Sequence, residues 1–184
     1  MPEQYSNIVL EGLGFVDGQE NTSGIQEDAY LLLYDDIATF GSPTPGTTPE
    51  SLVEISSNHV MKTGKSPIPL YTLYEKSGMD ATLTGEMFSK IFISIVKLHL
   101  PQPNEKNAVN FSVIKNRRFI VLIKRAGGTD FIQIGSQGLY AKVKDGSVKF
   151  GDGPTGTPGV DFQVEAPSIH PYYVYKGTLP VVGV

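Results

Sequence analysis

The chain contains no cysteine among its 184 residues, which excludes a disulfide framework and a thiolate metal site. Only 18% of its residues are charged and its net charge is -4, so it has no general basic patch for nucleic acid. No apolar run approaches the ~18 residues that cross a bilayer, and no basic segment followed by an apolar one marks a signal peptide. We therefore expect neither a membrane-embedded protein nor one exported by an evident signal.

Glycine and proline are abundant instead, with 20 and 13 residues respectively. This composition suits a β protein with many turns. The length is that of one domain, which can bury roughly 70% of the surface of its unfolded chain. Residues 1–24 have four glycines and no sustained apolar period. We therefore predict an extended N-terminal arm, either frayed or ordered by a neighbouring molecule, and a single β-rich domain over residues 25–184.

The stretch from Leu83 to Lys124 dominates the pattern, with a dense apolar segment at each end. From Met87 to Leu100 the chain is rich in β-branched and aromatic residues and has few polar positions. This favours a long strand buried on much of both faces, although the same spacing also fits a helical face. Arg118 to Lys124 is a short continuous apolar run bounded by charge, which is typical of a central strand.

Between these segments the sequence predicts its one helix, of about three turns. Asn104 follows a proline and can cap the helix, and Glu105 places a negative charge in the first turn. Lys115 and the arginines beyond it place positive charge at the far end, where it suits the helix dipole. One apolar face would consist of Ala108, Phe111 and Ile114. The helix would pack against a mostly β body.

Strands are predicted on both sides of this stretch from their apolar runs and the turn residues that bound them. Those before it are Ala29 to Tyr34, Leu52 to Met61 and Ile68 to Tyr74. Those after it are Phe131 to Ile134, Leu139 to Val143, Ser147 to Phe150 and the alternating Val160 to Glu165, with Tyr172 to Tyr175 as a terminal strand or docked arm. Lys144-Asp145-Gly146 indicates a hairpin turn. Gly41 to Pro49 cannot form a ladder, and this long loop is either variable surface or a contact with a partner.

Candidate catalytic and ligand-binding motifs are few. Gly151 to Gly156 matches the dinucleotide string G-x-G-x-x-G, but the helix that this motif needs does not follow it, so we interpret it as a loop. His59, His99 and His170 each stand alone, without a second ligand at metal spacing, and are expected on strand faces or interfaces. The sequence predicts no catalytic, cofactor-binding or metal-binding residue, and hence a protein that is not an enzyme and needs no cofactor.

Two further groups of residues have a structural interpretation and a functional one. The adjacent acids Glu27-Asp28 and Asp35-Asp36 could act in acid–base chemistry, but acids that flank a strand are usually solvated. The tyrosines of Tyr172 to Tyr175 could stack on a ligand, and packing of a terminal segment is the better interpretation. A well-patterned β domain with an arm, long loops and no evident site is plausible as an assembly subunit.

Several short motifs occur in a characteristic order within about residues 25 to 176. They are Ala29-Tyr30 followed by Asp36 to Phe40, then Lys62 to Lys65, the short helix before Arg118, and Ile134 to Ser136 before Ala141 to Val143. In this order the sequence resembles the tail tube (major tail) proteins of bacteriophages, in particular a divergent type encoded by phages of Bacteroidetes-like hosts.

The resemblance implies a β-sandwich or barrel-like domain flanked by one short α-helix, assembled into stacked hexameric rings around a lumen through which DNA passes. The implied partners are copies of the chain itself, tail proteins such as the tape measure and the terminator, and DNA that transits without specific binding; no membrane is implied. The implied location is the virion tail, after synthesis in the host cytoplasm. An acidic subunit suits a lumen that repels phosphates.

The resemblance also assigns contacts between subunits or rings to the arm, the long loop and the long strand. The candidate contact residues are Leu13, Phe15 and Val16 in the arm, Pro43, Pro45 and Pro49 in the loop, and Ile93 and Ile95 in the strand. A strand paired with strands of another subunit would explain why Met87 to Leu100 is apolar beyond simple alternation. We expect the protein to self-associate, and removal of the first twenty or so residues to weaken stacking more than folding.

Three other classes of protein remain possible from the sequence. Another virion part, such as a capsid decoration, tail terminator or head–tail connector protein, would form discrete rings or monomers and no extended tubes. A carbohydrate-binding β-sandwich would be monomeric and expose an aromatic patch, to which Tyr172, Tyr173 and Tyr175 could contribute. An enzyme would need titratable groups that cluster only in the folded chain.

Overall fold

The computed structural model describes residues 8–9, 17, 22–151 and 156–180. Within these ranges the chain is mainly β, with several sheets and one α-helix. The elements are β1 Ile25–Leu33, β2 Ile37–Thr39, β3 Glu54–Ile55, β4 Val60–Met61, β5 Ile68–Tyr71, β6 Gly78–Thr84, β7 Ile91–Pro101, α1 Glu105–Ile114, β8 Phe119–Arg125, β9 Phe131–Ile134, β10 Lys142–Lys149, β11 Gly159–Ser168 and β12 Tyr173–Tyr175. Short 3-10 turns cover Tyr34–Asp36, Pro49–Leu52 and Tyr74–Lys76.

The strands form two main sheets and a small one. The first has six strands in the order β3-β12-β9-β8-β1-β5, and the second has four in the order β10-β11-β7-β6. Strands β2 and β4 form the third. All pairs are antiparallel except β12 with β3. The mainly β, sandwich-like fold with one short helix is thus confirmed.

The main core lies between the six-stranded and four-stranded sheets. Its buried side chains come from alternate positions of β1, β7, β8 and β11, because successive residues of a strand point to opposite faces. Strand β11 shows this most clearly, since its residues alternate between buried and half-buried along its length. The largest of these side chains include Leu31, Leu98, Phe119, Ile123 and Phe162.

A second core covers the other face of the six-stranded sheet. It is built from β2, β3, β4, β12 and the far faces of β1, β8 and β9, and it includes Leu32, Ile37, Met61, Leu122 and Tyr175. Strand β8 therefore lies between two cores of its own chain, and Phe119 to Ile123 are all fully buried. This explains why its apolar run is continuous, and the central strand predicted there is confirmed.

The predicted helix is present with the expected cap. The Asn104 side chain accepts a hydrogen bond from the backbone N–H of Asn107 at 2.8 Å. Ile114 is buried and Phe111 is half-buried against the main core, as the apolar face predicted. Phe111 packs over Gly146 of β10 so closely that a Cβ atom there would lie 2.4 Å from its Cζ atom.

The long strand predicted from Met87 to Leu100 begins later than expected. Residues 85–90 form a turn between β6 and β7, in which Ser89 N–H bonds to the carbonyl of Glu86 at 3.1 Å. Gly85 permits this turn because its φ is +116°. Strand β7 has one face in the main core, where Val96 and Leu98 are buried, whereas Ile95 on the other face is half-buried. On this second face His99 is also buried, whereas Ile91 and Lys97 are exposed, so the predicted burial of both faces is confirmed in part.

Two other expected elements differ. Lys144-Asp145-Gly146 does not turn the chain, because Asp145 and Gly146 pair with Gln163 and Phe162 of β11, and β10 continues past a register shift next to Lys144. A bulge accommodates an extra residue in this way.

The predicted strand Leu52 to Met61 is divided into β3 and β4, which belong to different sheets. His59 lies between them, where its backbone N–H bonds to the Tyr175 hydroxyl at 3.1 Å. The chain leaves the six-stranded sheet after β3, because the connection bonds to a side chain of the second core and not to the backbone of a neighbouring strand.

Candidate assembly surface

The four-stranded sheet has two edges without a strand partner among the described residues. Strand β6 pairs with β7 only, and β10 pairs with β11 only. Each edge strand is long, with seven residues in β6 and eight in β10, and most of their residues are exposed. A long exposed edge offers unpaired N–H and C=O groups to another strand, which proteins usually avoid.

The two free edges carry different charge. Strand β10 presents three exposed lysines and one exposed aspartate, whereas the single charged residue of β6 is Asp80. The basic residues of β10 are Lys142, Lys144 and Lys149. By their own residues the two edges differ in sign, which disfavours pairing of β10 with another β10. Salt bridges within the chain reduce this difference, because Asp80, Lys144 and Lys149 are all paired.

The outer face of this sheet points away from the main core and carries paired charges. Its salt bridges join neighbouring strands and are Lys97–Asp80 (3.3 Å), Lys144–Glu165 (2.7 Å) and Lys149–Asp161 (3.0 Å). Exposed pairs of this kind add only about 0–1 kcal/mol each to stability. Their main consequence is a surface on which each of these positive groups has a negative group close by.

The candidate contact residues Ile93 and Ile95 lie on this outer face. They are half-buried and occupy an interior strand, where Ile93 lies opposite Pro167 and Ile95 lies opposite Asp80 and Glu165. The expectation that another subunit supplies the strands beside this segment is wrong, because β6 and β11 of the same chain flank it. Contact of Ile93 and Ile95 with a second copy through the face remains a prediction.

His99 is the most deeply buried ionisable group of this sheet. Its Nδ1 contacts Asp161 Oδ1, its backbone N–H bonds to the Ser77 hydroxyl at 3.1 Å, and its ring lies over Gly159. Its Nε2 has no hydrogen-bond partner in the described structure. Burial alone would raise the pKa of Asp161, but hydrogen bonds from His99 and Lys149 outweigh it and lower the pKa. The sequence missed this pair because its members are 62 residues apart.

His59 has a structural role on the opposite side of the molecule. Its Nε2 lies 2.7 Å from Gln133 Oε1, its Nδ1 is 3.0 Å from the Gly41 backbone N–H, and its ring stacks on Tyr175. The Gly41 contact makes Nδ1 an acceptor, so Nε2 carries the proton and donates to Gln133. Burial lowers the pKa of His59, in keeping with this neutral form. The residue fixes the start of the Gly41 to Pro49 loop.

The loop that follows is irregular, as predicted. Pro43 and Pro49 are half-buried and Pro45 is exposed. The loop is folded on itself, with Gly46 N–H bonded to the Ser51 hydroxyl at 2.9 Å. Contacts of these prolines with another subunit remain predictions. The arm residues Leu13, Phe15 and Val16 lie outside the described residues.

An exposed apolar patch, which the sequence assigned to a buried strand, lies at the turn between β6 and β7. Met87 is 77% exposed and Phe88 is 99% exposed, and the flanking Leu83 and Ile91 are also exposed. We call these four residues the hairpin tip. Gly85 was the available signal for a turn, but the apolar residues after it favoured a strand.

No group of three or more histidine, aspartate or glutamate side chains in the described part of the chain is placed to hold a metal ion. Only residues 151 and 156 of the glycine-rich string lie in the described ranges, and the next element is strand β11. Among described residues, no helix is long and apolar enough to cross a membrane.

Searches of protein-family models, curated proteins and solved structures found no match to this chain. A functional proposal therefore depends on the four-stranded sheet, its free edges and the hairpin tip.

Proposed function

We propose that the chain is a structural virion protein that assembles with copies of itself into stacked, hexameric rings forming the tail tube of a bacteriophage. The observation that carries this proposal is the four-stranded sheet with two long free edges that run in opposite directions. The sequence resemblance supplies the class of assembly and the number of subunits. The protein would act as a conduit wall and not as a catalyst.

The strand order suits growth of the sheet around a ring. Neighbouring strands of the four-stranded sheet are all antiparallel, so β6 and β10 at its two edges run in opposite directions. Copies related by rotation have the same orientation, and β6 of one copy would therefore meet β10 of the next in antiparallel pairing. The pairing at every junction between copies would be antiparallel, as it is between the neighbouring strands of this sheet within the subunit.

Closure of such a ring would leave no free edge in this sheet. Six copies would give a barrel of roughly 24 strands, about 50 Å across between opposite backbones for usual strand spacing and tilt. In each subunit the six-stranded sheet packs against one face of the four-stranded sheet. The opposite face, which points away from the main core, would therefore line the lumen. Such a channel has room for duplex DNA.

The charge of that face supports passage without binding. Proteins hold DNA by placing lysine and arginine against phosphates. The three lysines that form salt bridges on this face each have a carboxylate within 3.3 Å, so they are partly neutralised. A lumen lined by an excess of carboxylates, as the resemblance implies, remains a prediction.

The carbohydrate-binding alternative is less well supported. It requires the terminal tyrosines to form an exposed aromatic patch, but Tyr173 and Tyr175 are buried in the second core. Tyr172 is exposed. One exposed ring does not make a stacking platform, so packing is the role of this segment that the structure supports.

The direct test is negative-stain electron microscopy of the purified protein, with light scattering over a concentration series. We expect rings or tubes with an open channel. Discrete rings that never stack would favour a terminator or connector protein, and a monomer at high concentration would contradict the proposal.

Charge reversal at the β10 edge tests which surface forms the ring. Lys142→Glu places a carboxylate on this edge, and we expect it to raise the concentration needed for ring formation at least about tenfold, because like charges would face each other. Lys106→Glu on α1 is the matched control, since it changes the net charge equally at another exposed position. Asp80→Lys in the Lys142→Glu background should restore part of the association. Equal behaviour of the two glutamate variants would exclude the β10 edge.

A further inference from the structure

The hairpin tip projects beyond the region where the two sheets pack together. Strand β6 is exposed from Asp80 onward, whereas Ala166 and Ser168 of β11 at the same end of the sheet are buried, so the exposure is confined to the β6 edge and the turn beyond it. At the end of the projection Phe88 is almost wholly exposed and Met87 nearly so. Two adjacent large apolar side chains at such exposure are typical of a contact with another molecule.

The backbone at Phe88 strengthens this interpretation. Phe88 has φ +68°, a left-handed conformation that is unfavourable for a bulky side chain. Glycine would adopt it without strain, and nothing in the packing of one subunit needs a phenylalanine there, since its side chain is exposed. Strained residues of this type are concentrated at functional positions.

The other non-glycine residue with positive φ in the described ranges is Gln102, at φ +71°. It lies just past the far end of β7 and lines a shallow, open and mostly apolar depression of about 570 Å³, together with Leu73, Pro101, Pro103 and Pro158. We call this site the proline hollow. Phe150, which is 79% exposed, follows the residue of β10 that pairs with Gly159, so it lies at the same end of the sheet.

The hairpin tip and the proline hollow therefore lie at opposite ends of one strand. The eleven residues of β7 span about 37 Å. Pairing of edge strands joins copies in the direction perpendicular to the strands. The hairpin tip and the proline hollow are separated in the direction parallel to the strands. A subunit can therefore make both kinds of contact at once. A tip-to-hollow contact joins different surfaces of identical subunits, so it does not close on itself and can repeat without limit.

The size of the tip suits such a contact. Burial of an aromatic side chain such as Phe88 removes about 150–250 Å² from water, so Phe88 alone could supply roughly a quarter of the ~800 Å² that one partner gives to a standard interface. Leu83 and Ile91 lie on opposite faces of the sheet, so Met87 and Phe88 are the residues that would enter a single hollow. The turn carries one Glu and one Lys, Glu86 and Lys90, so it lacks the basic excess that would direct it to an anionic lipid surface.

We propose that the hairpin tip of one copy docks in the proline hollow of a second copy and thereby joins successive rings. This inference rests on the proposed function. It assigns the axial contact to the hairpin tip in addition to the arm and the Gly41 to Pro49 loop that the resemblance implies.

Complementary charge variants test the contact. Phe88→Lys and Pro158→Glu should each leave rings intact and abolish or strongly shorten tubes in electron microscopy, and the double variant should restore tube length. Both positions are exposed, so neither change removes a core contact. Val109→Lys on α1 is the matched control, because Val109 is 60% exposed and lies outside the tip and the hollow. This control should form tubes of normal length.

Phe88→Gly separates docking from folding. It relieves the backbone strain, so we expect the thermal midpoint of unassembled protein to stay the same or rise while stacking is lost. Tubes of normal length from Phe88→Lys or Phe88→Gly would overturn the docking inference and leave the proposed function in place. Failure of the double variant to recover would overturn the pairing of tip with hollow. Absence of rings and tubes from the wild-type protein would instead refute the proposed function.

Discussion

Substitution of Gly146 by alanine tests how closely α1 packs on the four-stranded sheet. A Cβ atom at Gly146 would lie 2.4 Å from Phe111 Cζ and 3.1 Å from the carbonyl oxygen of Asp161. The first distance is far inside van der Waals contact, and the second involves backbone, so the helix must shift or the Phe111 ring must leave its position. Overpacking of this kind costs typically about 1–3 kcal/mol.

The free energy of unfolding should be measured by chemical denaturation of a ring-deficient background such as Lys142→Glu, so that assembly does not add to stability. For a chain of this size, about 1–3 kcal/mol corresponds to a fall in thermal midpoint of roughly 2–12 °C. Gly78→Ala is the control, because no atom lies within 4 Å of a Cβ there and its φ is not positive. It should be neutral or slightly stabilising.

A second substitution identifies the clash as the cause. Phe111→Leu shortens the side chain above Gly146, and in this background Gly146→Ala should cost clearly less than in the parent protein. Such non-additivity is expected only for residues in contact. If Gly146→Ala is as neutral as Gly78→Ala, or if its cost is the same with leucine at position 111, the close packing of helix and sheet is refuted.

The remaining predictions concern the helix cap and the buried histidine. Asn104→Ala should lower the free energy of unfolding by about 1 kcal/mol because Asn107 N–H loses its acceptor, while Asn104→Asp should retain most of it; equal losses would contradict the capping role. Burial lowers the pKa of His59 from its ordinary value of 6.5, so the folded state favours the neutral ring. Stability should therefore be complete above about pH 6.5 and fall as the pH drops below it, because the unfolded chain then binds more protons. Denaturant titrations at pH 7.5 and 5.5 measure this loss, which should be smaller in His59→Gln; an unchanged loss would assign it to another group, such as His170, whose pKa burial also lowers.

The elements that the sequence predicted correctly are those set by local chemistry. Helix α1 has its cap, its first-turn acid and its apolar face within a dozen residues, and none of these depends on distant parts of the chain. Strand β8 was recognisable because burial on both faces leaves no polar position between Phe119 and Ile123. Strand β11 was recognisable from its alternation, which requires only one buried face.

The errors come from features that only the folded chain defines. A hairpin turn and a bulge share the same residues, and Lys144-Asp145-Gly146 became a bulge because β11 continues to pair with β10 beyond it. The pairing of His99 with Asp161 depends on the register between β7 and β11. The spacing of residues in the sequence does not determine that register. The sequence around His99 therefore could not identify Asp161 as its partner.

The most informative error concerns the apolar residues of the segment from Met87 to Leu100. Its sequence suggested an excess of apolar surface beyond what one subunit buries, and another subunit's strand was the expected cover. The structure distributes this excess differently, because β7 is paired on both sides within the chain and the exposed part lies at the hairpin tip. The same apolar residue types occur in a core and in an exposed contact surface. Only their place in the folded chain distinguishes the two.

The residues that form the two cores are largely different from those at the exposed edges and the hairpin tip. Both cores are formed by described residues of one chain, and the edges of β6 and β10 and the hairpin tip contribute few residues to either core. Substitutions at the edges and the tip should therefore change association while the subunit stays folded, and core substitutions should do the reverse. Under the proposed function, such a subunit would fold first and add to a ring afterwards, since assembly would then require only that exposed surfaces meet.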